Sequence, residues 1–211
     1  MGTNKSVTLG TLALADNTAS ASNYSLSSAT LNITQRPLNV TATKAYDGST
    51  AVSSGSVTLS NLSGGQTINT SGSITTNSAN VASYGTSDIT VSSLSLADGT
   101  GAASNYTLSG GTYSASVTQK ILGLTGSRIY DATTTASSSD LSLTGLVGSE
   151  TLTLSGSGTL TSSAVGTGKT ITLNTLAISN NSGLASNYNL SGTATMNVTT
   201  RAVTALSLIH I

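Results

Sequence analysis

The feature that most constrains the fold of this 211-residue chain is a block that recurs at a fixed interval. The tripeptide Ser-Asn-Tyr ends at Tyr24, Tyr106 and Tyr188, so successive tyrosines are 82 residues apart, and leucine follows each tyrosine two residues later. A chance tripeptide would not keep this register. The chain is therefore an array of one repeated unit, and each unit is long enough to enclose a small core of its own.

Aligning the chain outward from these blocks predicts its organisation. Each unit closes on a basic residue, and the chain opens in the middle of a unit, as a piece cut from a longer protein would. We therefore expect residues 2–36 to be less ordered than the complete units, and residues 206–211, which match neither earlier copy, to be foreign to the repeat. The predicted segments are 1–36 (the C-terminal half of a truncated repeat), 37–120 (a complete repeat), 121–201 (a complete repeat) and 202–211 (the start of the next repeat plus the tail).

Apolar residues alternate with Ser and Thr along each unit, which is typical of strands with one buried face. In the first copy the pairs Val7/Leu9 and Leu12/Leu14 keep a spacing of two, but three residues separate Leu9 from Leu12. This step shifts the phase and predicts a β-bulge or a bend. No window has helical periodicity over three turns. The prediction is an all-β fold of tandem small antiparallel, immunoglobulin-like β-sandwiches; β-grasp-like repeats are the alternative and would need a helix across the sheet.

The tyrosine of the recurrent block has two interpretations. A tyrosine that enters a late strand soon after a turn residue resembles the tyrosine corner of immunoglobulin-like domains, where the ring fills the core and the hydroxyl bonds back to a loop carbonyl. The alternative is an exposed ring that stacks on a sugar. A core position is what repetition at a fixed register predicts. The turn residues, eight positions before the tyrosines, are Asp16, Asp98 and Asn180.

A second recurrent block is a turn whose two tyrosines are 84 residues apart: Tyr46-Asp47-Gly48 and Tyr130-Asp131-Ala132. Asp tolerates the left-handed conformation and Gly takes a positive φ without steric cost, so the block predicts a tight turn. We assign the tyrosines and turn residues of both blocks to structural roles, and we assign no residue to a catalytic, cofactor-binding or metal-binding role.

The carboxylates of this turn have a second possible use. Asp47 and Asp131 each follow a basic residue by three positions, which favours surface ion pairs that contribute little to stability. They could instead join a calcium site with Asp88 or Asp98 at a domain junction. Calcium takes six to eight oxygen ligands, usually from several carboxylates, and the chain has only seven acidic residues. The predicted ion pairs are Lys44/Asp47 and Arg128/Asp131.

Composition narrows the function classes further. The formal net charge is zero, only 7% of residues are charged, and no basic cluster occurs, so nucleic acid and anionic membranes are poor partners. No apolar run is long enough to span a bilayer. The chain has no cysteine, and its one histidine, His210, lies in the foreign-looking tail. A thiol, Ser-His-Asp or paired-carboxylate mechanism lacks its parts. We expect no enzyme activity and no cofactor.

The quoted blocks resemble the YDG-type repeat domains of large bacterial surface adhesins of the filamentous-haemagglutinin kind, which are secreted by a two-partner route. The resemblance covers nearly the whole chain except residues 206–211, and Ala132 departs from it where the family has glycine. The blocks that carry it are Tyr46-Asp47-Gly48, Gly145-Leu146-Val147-Gly148, Val165-Gly166-Thr167-Gly168-Lys169 and the three Asn-Tyr-x-Leu segments.

This resemblance implies a secreted or cell-surface protein of a Gram-negative bacterium. Together with the repeat, it favours a non-catalytic extracellular stalk that holds a distal binding region of the parent protein away from the cell. The partners would then be glycans or proteins of a host or neighbouring cell, reached through the parent protein. The alternative is an array of glycan-binding modules that mediates adhesion through its own loops.

Overall fold

The computed structural model describes residues 1–204 and contains only strands, turns and three-residue 3-10 helices in that range. The all-β prediction is confirmed. No helix among the described residues is long and apolar enough to cross a membrane. The tail at residues 206–211, with His210, lies outside the described residues.

Within residues 1–204 the chain forms twenty strands joined by turns and loops, as expected where Gly, Asn and Asp interrupt runs of alternating apolar residues. In chain order they are β1 (Gly2–Val7), β2 (Ala29–Ile33), β3 (Arg36–Pro37), β4 (Asn39–Ala45), β5 (Ala51–Ser53), β6 (Val57–Ser60), β7 (Ile68–Thr76), β8 (Ala82–Tyr84), β9 (Ile89–Thr90), β10 (Leu94–Asp98), β11 (Tyr106–Thr107), β12 (Tyr113–Thr118), β13 (Lys120–Ile129), β14 (Thr135–Ser137), β15 (Leu141–Thr144), β16 (Leu152–Ser155), β17 (Ser157–Leu160), β18 (Gly166–Thr172), β19 (Ala177–Asn180) and β20 (Tyr188–Thr199).

The chain forms two compact units that interleave along the sequence. Residues 43–51 and 76–84, which belong to the predicted repeat 37–120, pack in the same unit as the repeat that follows them. The predicted boundaries after residues 36 and 120 therefore mark the sequence repeat. That each repeat is also an independent domain stays a prediction. Unit 1 comprises Met1–Ala42, Val52–Thr75 and Gly85–Ala115, and unit 2 comprises Thr43–Ala51, Thr76–Tyr84 and the chain from Ser116 onward.

Unit 1 is built from short sheets. Strands β1 and β2 form an antiparallel pair, β7 lies between β10 and β5, β4 pairs with β6, and β3 runs parallel to β11. Most of the buried side chains of unit 1 are aliphatic, as the alternating pattern predicts. They include Leu38, Val40, Val52, Ile74 and Leu94.

Unit 2 contains a six-stranded sheet in the order β14, β17, β18, β20, β13, β15, and a separate antiparallel pair of β16 with β19. Within the sheet β13 and β20 run parallel, while the pairing of β20 with β18 and of β13 with β15 is antiparallel. The first and last strands of the repeat 121–201 thus lie side by side. The sheet's buried cluster includes Leu124, Ala136, Leu160, Ile171 and Met196.

At the predicted phase shift, the chain forms a tight turn. The amide of Leu12 donates to the carbonyl of Leu9 at 2.9 Å, and that of Leu176 donates to Leu173 at 2.8 Å; Leu94 makes the same bond in the middle copy. In two copies the turn divides the run into two strands, β9 and β10 in one and β18 and β19 in the other. Because β18 joins the six-stranded sheet and β19 pairs with β16, one apolar run contributes to two sheets.

Candidate functional site

The Ser-Asn-Tyr block is set up by the turn residue that precedes it. Each Ala-Ser-Asn segment forms one turn of 3-10 helix, with tyrosine directly after it. A side-chain oxygen of Asp98 accepts the amide of Ala103, and that of Asn180 accepts the amide of Ala185, both at 2.7 Å. Asp16 does the same in the first copy. Asp and Asn are interchangeable here because the turn uses only the oxygen that both carry.

The three tyrosines of this block have different environments. The side chains of Tyr106 and Tyr188 are 4% and 2% exposed, whereas that of Tyr24 is 64% exposed. The difference cannot come from the block itself, because the 3-10 turn is present in all three copies. Burial therefore depends on what the rest of each repeat places over the ring.

The hydroxyl of Tyr188 fixes the small loop that follows β15. It accepts the amide of Val147 at 3.1 Å and donates to Oε2 of Glu150 at 2.6 Å. The expected partner was a loop carbonyl; the loop instead offers an N–H and a carboxylate, so the hydroxyl acts as both acceptor and donor. In the preceding copy, the Tyr106 hydroxyl accepts the amide of Ser63 at 3.1 Å and donates to Oε1 of Gln66 at 2.6 Å.

Tyr46, from the turn of the preceding repeat, is inserted beside Tyr188. It is 5% exposed, and its hydroxyl donates to Oε1 of Glu150 at 2.5 Å. The two rings meet edge to face, with centroids 5.4 Å apart and an interplanar angle of 79°. One carboxylate thus accepts two phenols, one on each oxygen, and joins two repeats inside unit 2. We call the residues that receive Tyr46 the filled socket: Val147, Glu150, Asn187 and Tyr188.

Asn187 holds a second segment of the preceding repeat. Its side chain is 1% exposed, its Oδ1 accepts the amide of Val81 at 2.9 Å, and its Nδ2 donates to Oδ1 of Asn80 at 2.9 Å. Both ends of the buried amide are thereby paired, as burial of a polar side chain requires. The filled socket therefore holds the preceding repeat at two places.

The electrostatics of the socket favour neutral phenols. Burial, followed by the hydrogen bond to the Glu150 carboxylate, raises the pKa of Tyr188 to about 12. Burial and the same carboxylate also raise the pKa of Tyr46. Both hydroxyls consequently remain protonated and donate at neutral pH, and hydrogen bonds to an ionised acceptor are stronger than neutral ones. The arrangement acts as a clamp between repeats.

The Tyr46 turn is built around a lysine whose side chain is mostly enclosed. The Lys44 ammonium donates to Oδ1 of Asp47 at 2.6 Å and to the carbonyl of Ala51 at 2.9 Å, and Gly48 has a φ of +76°. The Lys44 side chain is only 10% exposed, so the expectation of a surface ion pair is wrong for the cation. Burial alone would raise the pKa of Asp47, but hydrogen bonds from Lys44 and Ser49 outweigh it and lower that pKa.

The second turn repeats this construction with arginine. Arg128, whose side chain is 7% exposed, donates to Oδ2 of Asp131 at 3.0 Å and to the carbonyl of Thr135 at 2.7 Å. The Thr133 amide is the main cause of a lowered pKa at Asp131. Tyr130, however, is 37% exposed, and its hydroxyl makes no hydrogen bond within residues 1–204. The turn is the same, but its tyrosine has no socket in the described chain.

The carboxylates considered for calcium are used by their own turns. Asp47 and Asp131 accept hydrogen bonds from residues of the Tyr-Asp turns, and Asp98 accepts the amide of Ala103. No group of three or more His, Cys, Asp or Glu side chains that could hold a metal ion occurs in the part of the chain that the structure describes.

The fold and the clamp together define an array of all-β repeats linked through a buried tyrosine. The model of the YDG domain family matches twice, over residues 32–117 and 114–196. The chain therefore belongs to the YDG domain family and carries two copies in tandem. No curated protein and no solved structure gave a significant match.

Sequence reasoning missed the acceptor of the clamp. Glu150 is the only glutamate of the chain, and it lies 84 residues after Gln66, the interval that also separates the two Tyr-Asp turns. The sequence therefore did contain a signal: its single glutamate stands at a loop position that recurs with the repeat. Its partner Tyr46 is 104 residues away in sequence, so no local pattern connects the two.

Proposed function

We propose that this chain is a non-catalytic stretch of stalk in an extracellular bacterial surface adhesin, where it holds a distal binding region away from the cell. The observation that supports this most directly is the insertion of Tyr46 between Tyr188 and Glu150. A repeat whose side chains are buried in its neighbour limits bending at the junction, and limited bending is what a stalk requires.

The other structural features agree with this proposal. The signature residues of the family serve the turns and the junction: the aspartates hold their own turns, and the tyrosine of the turn enters the next repeat. We also propose that each repeat is a small immunoglobulin-like sandwich. The separate β16–β19 pair beside the six-stranded sheet of unit 2 supports two layers, and secretion to the cell surface of a Gram-negative bacterium fits the resemblance to adhesin repeats.

Small-angle X-ray scattering of the whole chain tests the stalk proposal. The wild-type profile should be that of a rigid particle, while Tyr46→Ala should give a more flexible one because the clamp loses its ring and one hydrogen bond. Tyr130→Ala is the matched control and should leave the profile unchanged. Equal flexibility in wild type and Tyr46→Ala would contradict a rigid junction.

Binding to a glycan array separates this proposal from its alternative. The exposed ring of Tyr24 lines a cleft of about 430 Å³ together with Leu14 and Leu26, which is the observation that favours a glycan-binding module. A stalk predicts no binding by the folded chain. Glycan binding that disappears in Tyr24→Ala, with the fold retained, would favour the module instead.

A further inference from the structure

The half-repeat 1–36 exposes side chains that the complete repeat 121–201 buries. Leu31 and Ile33 lie five and three positions before the basic residue that closes their unit, and they are 56% and 51% exposed. Their counterparts at the same distances from Arg201, Met196 and Val198, are 1% and 2% exposed. The same strand positions thus carry apolar side chains in both repeats, but other residues bury them only in the repeat 121–201.

The tyrosine block shows the same contrast. Leu12 is 69% exposed, while Leu176, at the equivalent position, is 8% exposed. Tyr24 is 64% exposed, while Tyr188 is 2% exposed. Leu14, Tyr24 and Leu26 line one cleft, and exposed apolar side chains gathered in this way mark an interaction surface. We call this surface the acceptor face and define it by Leu12, Leu14, Tyr24, Leu26, Leu31 and Ile33.

The backbone of the half-repeat shows which element would cover this face. Strand β2 pairs with β1 just as β20 pairs with β18, with the same register irregularity after Gly2 and after Gly166. The bond from the Asn4 amide to Asn32, at 2.7 Å, matches that from the Gly168 amide to Asn197, at 2.8 Å. Strand β20 has a second neighbour, the parallel strand β13, whereas β2 pairs with β1 alone among the described strands. The element that would pair with β2 corresponds to the first strand of a YDG repeat.

That first strand leads into a Tyr-Asp turn, and unit 1 has a place for its tyrosine. Ser63, Gln66, Asn105 and Tyr106 correspond to the members of the filled socket, and we call them the open socket. They line a cavity of about 330 Å³. In this cavity, Oε1 of Gln66 accepts a hydrogen bond from the Tyr106 hydroxyl. Nε2 of Gln66 donates to none of the described residues. The free amide group lies where the filled socket has the second oxygen of Glu150.

The asparagine of the open socket accepts a hydrogen bond from the first residue of the chain. Oδ1 of Asn105 accepts the terminal ammonium of Met1 at 3.2 Å. At the filled socket, the corresponding oxygen of Asn187 accepts the backbone amide of Val81, from the first half of the preceding repeat. Both sockets thus use this oxygen to accept a backbone nitrogen.

We infer that the acceptor face and the open socket together bind the first half of another YDG repeat. Its first strand adds to the free edge of β2, parallel to it, as β13 lies beside β20. Its Tyr-Asp-Gly turn then places the tyrosine ring against Tyr106, where the hydroxyl accepts a hydrogen bond from Nε2 of Gln66. Main-chain pairing supplies affinity and the tyrosine pocket supplies specificity, as in strand addition to other sheet edges.

Hydrogen exchange on a covalently extended chain tests this inference. Residues 37–84 are copied in front of Gly2, in place of Met1, so that the added first half meets the half-repeat through its natural junction. We expect the amides of β2 and of the Tyr24 block to exchange at least tenfold more slowly than in the unextended chain. Unchanged exchange in β2 would overturn the inference, as would protection in the unextended chain that already equals that of β20.

A variant of the extension separates the socket from the face. Changing the tyrosine of the added turn to phenylalanine, the Tyr46→Phe change in the copied segment, removes only the hydroxyl. We expect β2 to stay protected, while the loop that contains Ser63 and Gln66 loses the protection it gained. Full protection of that loop with phenylalanine would overturn the assignment of the tyrosine to the open socket.

A binding measurement in trans supplies the chemical test. A synthetic peptide with the sequence of residues 37–53 is titrated into the whole chain and into its Gln66→Glu variant. Because a carboxylate accepts a phenol more strongly than an amide group donates to it, Gln66→Glu should tighten binding by about tenfold for the tyrosine peptide and not for a phenylalanine peptide. Equal effects on both peptides would contradict the proposed contact. Self-association of the chain that buries Leu31 and Ile33 but leaves the Tyr130 turn exposed would identify a different surface of a second copy as the occupant and overturn the inference.

Discussion

The two Tyr-Asp turns share one construction but differ in what their tyrosines do. In each, a mostly enclosed basic side chain lies beneath the turn and the aspartate accepts an amide two positions later. Yet Tyr46 is 5% exposed and Tyr130 is 37% exposed. The turn is thus encoded locally, whereas the burial of its tyrosine depends on a neighbouring repeat.

The two sockets show the complementary difference. Glu150 accepts two phenols, and Gln66 accepts one. The backbone donor to the socket tyrosine is at 3.1 Å in both, so the socket exists whether or not a second tyrosine enters it. We therefore expect the residue at this loop position to set the strength of the junction without altering the fold of the repeat.

The largest expected effect is the loss of the inserted ring. Tyr46→Ala should lower the free energy of unfolding of unit 2 by about 3–5 kcal/mol, the range for truncating a buried aromatic side chain. Tyr130→Ala, at the equivalent but exposed position, should cost less than about 1 kcal/mol. Native-state hydrogen exchange of the amides in β13 and β20 measures both. Similar losses in the two variants would show that the turn, and not the junction, uses the tyrosine.

Removal of the shared acceptor should have the next largest effect. Glu150→Ala leaves two buried hydroxyls without their acceptor and should cost about 3 kcal/mol, while Gln66→Ala breaks one neutral hydrogen bond and should cost about 1 kcal/mol. Urea unfolding monitored by regional hydrogen exchange compares the variants. An equal cost at the two positions would mean that the bond from Tyr46 contributes nothing to the stability of unit 2.

The raised pKa of Tyr188 makes the filled socket sensitive to alkali. Burial, and then the bond to Glu150, raise it from 10.0 to about 12, so the folded state favours the neutral phenol. The resulting stability is fully present below pH 10 and is lost as pH rises through 12. Tyrosinate absorbance should therefore show a late step that Tyr188→Phe makes smaller, since Tyr46 also has a raised pKa, and that Glu150→Gln shifts to lower pH. A late step that Glu150→Gln leaves in place would assign the shift to burial alone.

Part of this architecture could be predicted from the sequence, for physical reasons. The fixed register identified the repeated tyrosine and its turn residue, because a 3-10 turn that donates an amide to Asp98 or Asn180 is a local structure. The step of three predicted the bend at which one apolar run passes from one sheet to another. These features need only near neighbours, so periodicity reveals them.

The junction could not be predicted in the same way. Its partners Tyr46 and Glu150 lie in different repeats, and the acceptor position holds a different residue type in each copy. The pairing of Lys44 with Asp47 was expected as a surface ion pair that contributes little to stability. The lysine is mostly enclosed instead because the turn folds its own carbonyls around the ammonium.

The smallest effect concerns the residue after the aspartate, where the two turns differ. Ala132 has a φ of +66°, a conformation that costs a residue with a Cβ about 1–2 kcal/mol, and Gly48 has +76° at no such cost. Ala132→Gly should therefore stabilise unit 2 by up to about 1 kcal/mol, because the added freedom of the unfolded chain offsets part of the gain. Thermal unfolding followed by circular dichroism measures the change.

Gly48→Ala is the reverse substitution and should be the more costly of the two. Its new Cβ would lie 3.0 Å from Cγ1 of Val147, a residue of the filled socket, in addition to the strained φ. Gly48→Ala with Val147→Ser, the residue found at the same loop position of the open socket, should recover the part of the loss that comes from this contact and none of the part that comes from the backbone. Complete recovery would show that Gly48 is required by the neighbouring repeat alone, and no recovery would show that the turn alone requires it.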